Sequence, residues 1–263
     1  MRPLMLNVIY ENLSDMQYLI KATMLLKINI TTYCLYLLVY FTPFVLQALR
    51  YTSDRNNIAS FLLLIIVNII SLFFISGIYY QFLIRSENRQ NYLSQLYSSS
   101  KKYFLRVLIV TVCIAVAGSF LVFLAIFTIK IIPSSWLFGD YSAKSAMVTI
   151  LRNIIIFLVS AYFIYSIPSI YSNDLKDIQA ISISYKFIRS KFRTSLPIVL
   201  FLGISYLVNI LMTQTAVTFE YQSVEYWSAM FANNIITKTM NLLVFIAAVL
   251  ILKDNLKDQK SFN

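Results

Sequence analysis

Five stretches of this chain, residues 28–49, 58–84, 107–129, 153–170 and 194–213, contain no Asp, Glu, Lys or Arg. A sixth, 227–252, is interrupted only by Lys238. A helix needs about 20 such residues to cross about 30 Å of hydrocarbon. The runs predict an all-α polytopic membrane protein with six transmembrane helices. The ten-residue alternation of a membrane barrel is missing. Only 13% of the 263 residues are charged, against about 25% in soluble domains, too few to cover a water-facing surface. The lead before residue 28 is polar and amphipathic, so no cleavable signal peptide is expected. Cys34 and Cys113 fall inside spans and read as buried free thiols.

Charge placement orients the spans. Sixteen cations fall on the side of the termini and of the links after spans two and four. Six fall opposite: Arg50, Arg55, Lys130, Lys144, Arg152 and Lys238. The positive-inside rule then puts both termini in the cytoplasm. The net charge of +11 belongs beside anionic lipid headgroups. Nucleic acid is not expected as a partner, because that needs a basic face on a soluble module.

The segment LKDIQAISISYKFIRSKF, residues 175–192, separates spans four and five. Ile178, Ile181, Tyr185, Ile188 and Phe192 recur at helical spacing and form one apolar face. Ser182, Lys186, Arg189 and Arg193 form a parallel polar, basic row. Asn173 or Asp174 is placed to cap the N-terminus. This is the pattern of an amphipathic helix in the cytoplasmic interface. The lead repeats it. Ser14 and Gln17 fit a capping box, and Leu13, Met16, Ile20 and Met24 form an apolar stripe. LSDMQ (13–17) shares Leu, Asp and Gln with LKDIQ (175–179). The middle link, 86–106, is polar, helix-compatible and basic at its end. Three parallel units follow, 1–84, 85–172 and 173–263 of a single membrane domain, each an interfacial helix and two spans. Such units are related by an axis along the membrane normal.

IPSIYSNDLKDIQAISISYKFIRSKF, residues 167–192, carries a family likeness. It resembles bacterial six-span membrane proteins of the YciC-like group. The membrane domain of some glycerophosphodiester phosphodiesterases looks related. Those proteins show a Pro near the end of span four, a polar turn, then an Ala-x-x-x-Ser helix with basic residues. Pro168, Ala180, Ser184 and the basic cluster occupy these positions. The acidic residue often seen after the Pro is replaced by Ser172 or displaced to Asp174. The resemblance implies a six-span fold in a bacterial plasma membrane and no agreed activity.

Catalytic machinery is scarce. There is no His, which excludes Ser-His, Cys-His and HExxH schemes. No Asp or Glu lies within a span, and no phosphate-cradling GxxxxGK[ST] occurs. The chain reads as no enzyme and implies no cofactor or metal. Asn68 and Asn209 lie within spans; they either bond across helices and fix packing or line a substrate path. Lys238 either snorkels to the outer surface or pairs with Glu220 or Glu225. Arg152 reads as an anchor at the same boundary. Pro43, Pro168 and Pro197 are expected to bend spans. The Tyr and Phe residues read mostly as lipid-facing bulk and interfacial belts. The link 214–234, with Glu220, Glu225 and Trp227, is the candidate outer contact region, lying on the leaflet as a short helix.

Two functional classes fit. One is a non-catalytic membrane protein that handles or exports an amphipathic molecule, a lipid or membrane-active peptide. The other is the permease subunit of an ABC exporter, which needs a separate ATPase. A membrane assembly partner is a third reading. Expected partners are membrane lipids, an ABC ATPase subunit or further copies of the chain.

Overall fold

The structure is a computed structural model and describes residues 16–52, 58–83, 92–131, 141–175, 177–219 and 223–260. Every element among these residues is helical: α1 (Met16–Ile28), α2 (Ile30–Thr52), α3 (Ile58–Leu83), α4 (Tyr92–Ile131), α5 (Tyr141–Tyr162), α6 (Ser166–Asn173), α7 (Asp177–Ser190), α8 (Phe192–Val217) and α9 (Val224–Lys260). Five helices are long and apolar enough to cross a membrane: Ala59–Leu83, Tyr92–Thr128, Ile150–Ser172, Phe192–Ala216 and Val224–Asn255. A sixth arises if Met16–Ile28 and Ile30–Leu46, bent by 90° at Asn29, form one span. The all-helical, multi-pass reading of the apolar runs therefore stands. Ser14, in the proposed capping box, and Leu13 lie outside the described residues.

Neighbours in sequence are neighbours in space. α2 packs on α3, α3 on α4, α4 on α5 and α8 on α9, while α6 packs on α4, α7 and α9. Packing is tight in one half of the bundle, termed proximal, which holds Ala22, Tyr171 and Leu252. There Ile75, Ile78 and Phe82 of α3, Tyr103, Val107 and Val110 of α4, and Leu242 through Leu252 of α9 are buried or nearly so. In the distal half α3 and α4 expose more of their surface. Phe61, Leu62, Leu63, Ile65 and Ile66 of α3 and Val116, Phe120 and Phe123 of α4 are exposed, as suits side chains bathed in acyl chains.

Small residues set the tight crossings. A Cβ on Gly77 would stand 2.6 Å from the Leu96 carbonyl oxygen and collide with Ser100 Oγ. The α3–α4 backbones approach this closely only because residue 77 has no side chain.

The buried aromatic centre departs from the lipid-facing expectation. Many Phe side chains do face outward, but Tyr36, Tyr103, Tyr165 and Tyr171 are buried. Tyr79 stacks on Phe245 at 4.1 Å, Tyr171 meets Tyr103 at 4.8 Å, and the Tyr171 hydroxyl donates to the Ser76 carbonyl at 2.8 Å. A tyrosine hydroxyl needs a polar partner in a hydrocarbon phase, and the bundle interior supplies it. The two cysteines also differ from expectation. Both are free but exposed, because they sit on outward faces of α2 and α4.

Span four is broken. α5 ends at Tyr162, residues 163–165 form a turn, and α6 restarts at Ser166. Pro168 lacks an N–H and cannot bond the carbonyl four residues earlier, which suits it to the first turn after a break. Pro43 and Pro197 lie inside α2 and α8 without ending them. The break frees the Tyr165 N–H and the Tyr162 carbonyl. Ser184 of α7 serves both: its Oγ accepts from Tyr165 N at 3.1 Å and donates to Tyr162 O at 2.9 Å.

This contact sets the rotation of α7. Its buried stripe is Ala180, Ser184 and Ile188, whereas Ile178, Tyr185 and Phe192 of the sequence-read apolar face are exposed. The basic row Lys186, Arg189 and Arg193 is exposed as well. Asp174 also has a different role from the expected cap. It adopts a left-handed conformation (φ 51°) as the C-cap of α6, and its Oδ1 accepts from Arg106 Nη1 at 2.7 Å, with Lys102 Nζ at 3.4 Å. Two cations outcompete the neutral N–H groups of a helix start.

Candidate functional site

α8 and α9 bring several polar side chains of the apolar runs together. On α9, Asn234, Thr237, Lys238 and Asn241 follow the i, i+3, i+4, i+7 spacing of one helix face. On α8, Ser205 and Asn209 are one turn apart. Packing of α8 on α9 turns these faces together. Together with Tyr206 they line a cleft of about 230 Å³. Lys238 stands fourteen residues before Leu252, about 21 Å along the axis at about 1.5 Å per residue. The cleft thus lies inside the apolar band, toward the distal half.

Direct bonds clamp its walls. Asn233 Nδ2 donates to Asn209 Oδ1 at 2.8 Å and to Thr213 Oγ1 at 3.3 Å. Ser205 Oγ donates to Asn241 Oδ1 at 3.3 Å. Thr237 Oγ1 and Asn234 Nδ2 bond back to carbonyls of their own helix, Asn233 O and Met230 O. Tyr206 OH and Ser160 Oγ are 2.7 Å apart, linking the cleft to α5.

Lys238 is half-buried, and its ammonium lies 4.5 Å from the centre of the Tyr40 ring on α2. A cation–π contact of this kind contributes about 1 kcal/mol at a partly exposed site. The Tyr36 hydroxyl donates to the Lys238 carbonyl at 3.2 Å and Tyr33 bonds Thr239 at 2.7 Å, so α2 is pinned along the same stretch of α9. Among the described residues no carboxylate pairs with Lys238.

The other candidate positions fall elsewhere. Asn68 is exposed, and its Nδ2 donates to Leu64 O of its own helix at 2.7 Å, with no interhelical bond among the described residues. Glu225 is exposed at the start of α9. Glu220 lies outside the described residues. Trp227 meets Phe44 of α2 edge-on at 6.0 Å, with its Nε1 buried and unbonded. The second part of the outer link is not a separate helix on the leaflet: from Val224 it runs unbroken into α9. Arg152 is exposed on α5.

Asn209 and Lys238 thus belong to one site. Asn234, Thr237 and Asn241 were readable as its further members from their spacing around Lys238. Ser205 carries no such signal; only its distance from Asn241 reveals it. Comparison with protein-family models, curated proteins and solved structures returns no match.

Proposed function

We propose that this protein is a non-catalytic integral membrane protein that handles or exports an amphipathic molecule, a lipid or a membrane-active peptide. The observation that carries this reading is the polar cleft between α8 and α9. Polar and ionisable groups held at such depth are costly and belong as a rule to substrate paths. An amphiphile suits both a polar cavity and the exposed apolar helices around it. The resemblance of residues 165–200 to the YciC-like proteins agrees with a six-span membrane protein without an assigned reaction.

The same reading places the chain in a bacterial plasma membrane with its termini in the cytoplasm, so the proximal half is cytoplasmic. α1 and α7 then lie in the headgroup region. The 90° bend at Asn29 is the angle between a helix on a membrane and one across it. The threefold plan draws support from the first and third units, where a short helix precedes a span. The middle unit differs: α4 runs unbroken for 40 residues from Tyr92.

Purification in mild detergent followed by lipid extraction tests the proposal. The expected result is an amphiphile enriched over its share of the bulk membrane. A bulk-like lipid profile, together with unchanged tolerance of membrane-active peptides in a deletion strain, would remove the reading. The exposed basic row on α7 also suits docking of a separate exporter ATPase, and co-purification of an ATPase is the outcome that would favour that alternative.

A further inference from the structure

Two of the three amides lining the cleft, Asn209 and Asn241, use their acceptor ends and leave their donor ends over, whereas Asn234 donates to Met230 O. Asn209 Oδ1 is taken by Asn233, and Asn241 Oδ1 by Ser205. The NH2 groups of Asn209 and Asn241 donate to no other group among the described residues. Lys238 adds an ammonium with no carboxylate partner among the same residues, and no acidic side chain lines the cavity. Surplus N–H donors around one cation, in a medium of low dielectric, attract an anion. A cationic peptide would meet repulsion instead.

We propose that the Lys238 cleft binds the phosphate of an anionic amphiphile, with the Lys238 ammonium and the amide N–H groups of Asn209 and Asn241 donating to its oxygens. This rests on the amphiphile-handling reading and names its substrate class. A cavity of about 230 Å³ has room for a headgroup and not for acyl chains, which lie along the apolar helix surfaces. The Tyr40 ring, outside the lining of the cleft, lies 4.5 Å from the ammonium and does not neutralise it. Free inorganic phosphate presents the same chemistry, and the test separates the two sources.

The full-length protein in detergent is offered equal amounts of phosphatidylglycerol and diacylglycerol with identical acyl chains, the second lacking the phosphate, and retained lipid is counted by native mass spectrometry. The wild type is expected to favour phosphatidylglycerol by about tenfold, the value of one charge-assisted hydrogen bond. Lys238→Gln should bring the ratio close to one and Lys238→Arg should keep it. Asn241→Leu, which removes a donor at similar volume, should lower it several-fold. Monodisperse elution of each variant establishes folding. Inorganic phosphate that displaces the lipid, and raises the melting temperature of the wild type but not of Lys238→Gln, would identify free phosphate as the occupant. Equal retention of both lipids with no phosphate effect overturns the anion site and leaves amphiphile handling standing. A preference unchanged in Lys238→Gln also overturns it. Retention of neither lipid overturns both.

Discussion

The hydroxyl of Ser184 sits 3.1 Å from the backbone nitrogen of Tyr165, across the break that divides span four. The same oxygen donates to the Tyr162 carbonyl at 2.9 Å. One side chain of α7 thus completes the backbone bonding of a spanning helix. A helix interrupted in a hydrophobic phase requires such a partner.

Ser184→Ala leaves a buried N–H and a carbonyl unpaired. The expected loss is about 1–3 kcal/mol, the cost of orphaned buried groups. A melting curve in detergent reads it as a clear drop in midpoint. A midpoint equal to that of the wild type would mean that the break is bonded in some other way.

Gly77→Ala places a methyl group against Leu96 O and Ser100 Oγ. The obstruction includes backbone, so α3 and α4 must separate. An overpacked contact of this type costs about 1–3 kcal/mol. Pairing Gly77→Ala with Ser100→Gly should recover part of the loss, since the nearer of the two obstructing oxygens is then gone. Failure of the pair to recover anything would show that the Leu96 carbonyl is the sole barrier.

Asp174 links α4 to the entry of α7 through Arg106 and Lys102. Burial alone pushes its carboxyl up, but the two cations outweigh this and hold it below the ordinary carboxylate value. A carboxyl lowered on folding stabilises the folded state above the ordinary value of about 3.9. That contribution disappears as pH falls through the lowered one. Asp174→Asn should therefore reduce the melting midpoint slightly at pH 7, by an exposed ion pair's worth of less than about 1 kcal/mol. The two proteins should converge as pH drops below about 4. A gap that persists at low pH would assign the effect to the left-handed backbone at 174 rather than to charge.

Lys186, Arg189 and Arg193 changed together to Gln should weaken association with anionic vesicles at low salt. Each cation near an anionic surface contributes about 1 kcal/mol. Co-sedimentation of the reconstituted protein with anionic and neutral vesicles measures it. Equal behaviour of both proteins would make α7 a packing element alone.

Much of this architecture was legible in the sequence. Residues 58–84 correspond to α3 within one residue, because an uncharged run of that length has few alternatives in a membrane. That 175–192 forms a helix of its own was readable from spacing, but its rotation was not. Ile178 and Tyr185 belong to the apolar face read from spacing, yet the residues that turn inward are Ala180 and Ser184. A small residue and a hydroxyl hold that face through a distant backbone break, which periodicity in one helix does not encode. The candidate site divides in the same way. Lys238 and Asn209 stood out as polar residues within apolar runs, whereas Ser205 is one serine among many until α8 and α9 meet.

The sequence by itself determined that this chain lives in a lipid phase, is helical and crosses the membrane repeatedly. The reason is energetic: long uncharged segments must satisfy their backbone bonds internally, and only a helix does so within one segment. The tertiary structure decided which faces touch. It buried tyrosines that looked lipid-facing, exposed Cys34 and Cys113, turned Asp174 from a cap into an ion-pair partner, and gathered Lys238 with Ser205, Asn209 and Asn241 into one cleft. In hydrocarbon an outward apolar face and an inward one have nearly the same composition, because lipid tails are as apolar as the core. Side-chain size and hydrogen-bond partners then choose between them, and those partners are defined only when the helices have packed.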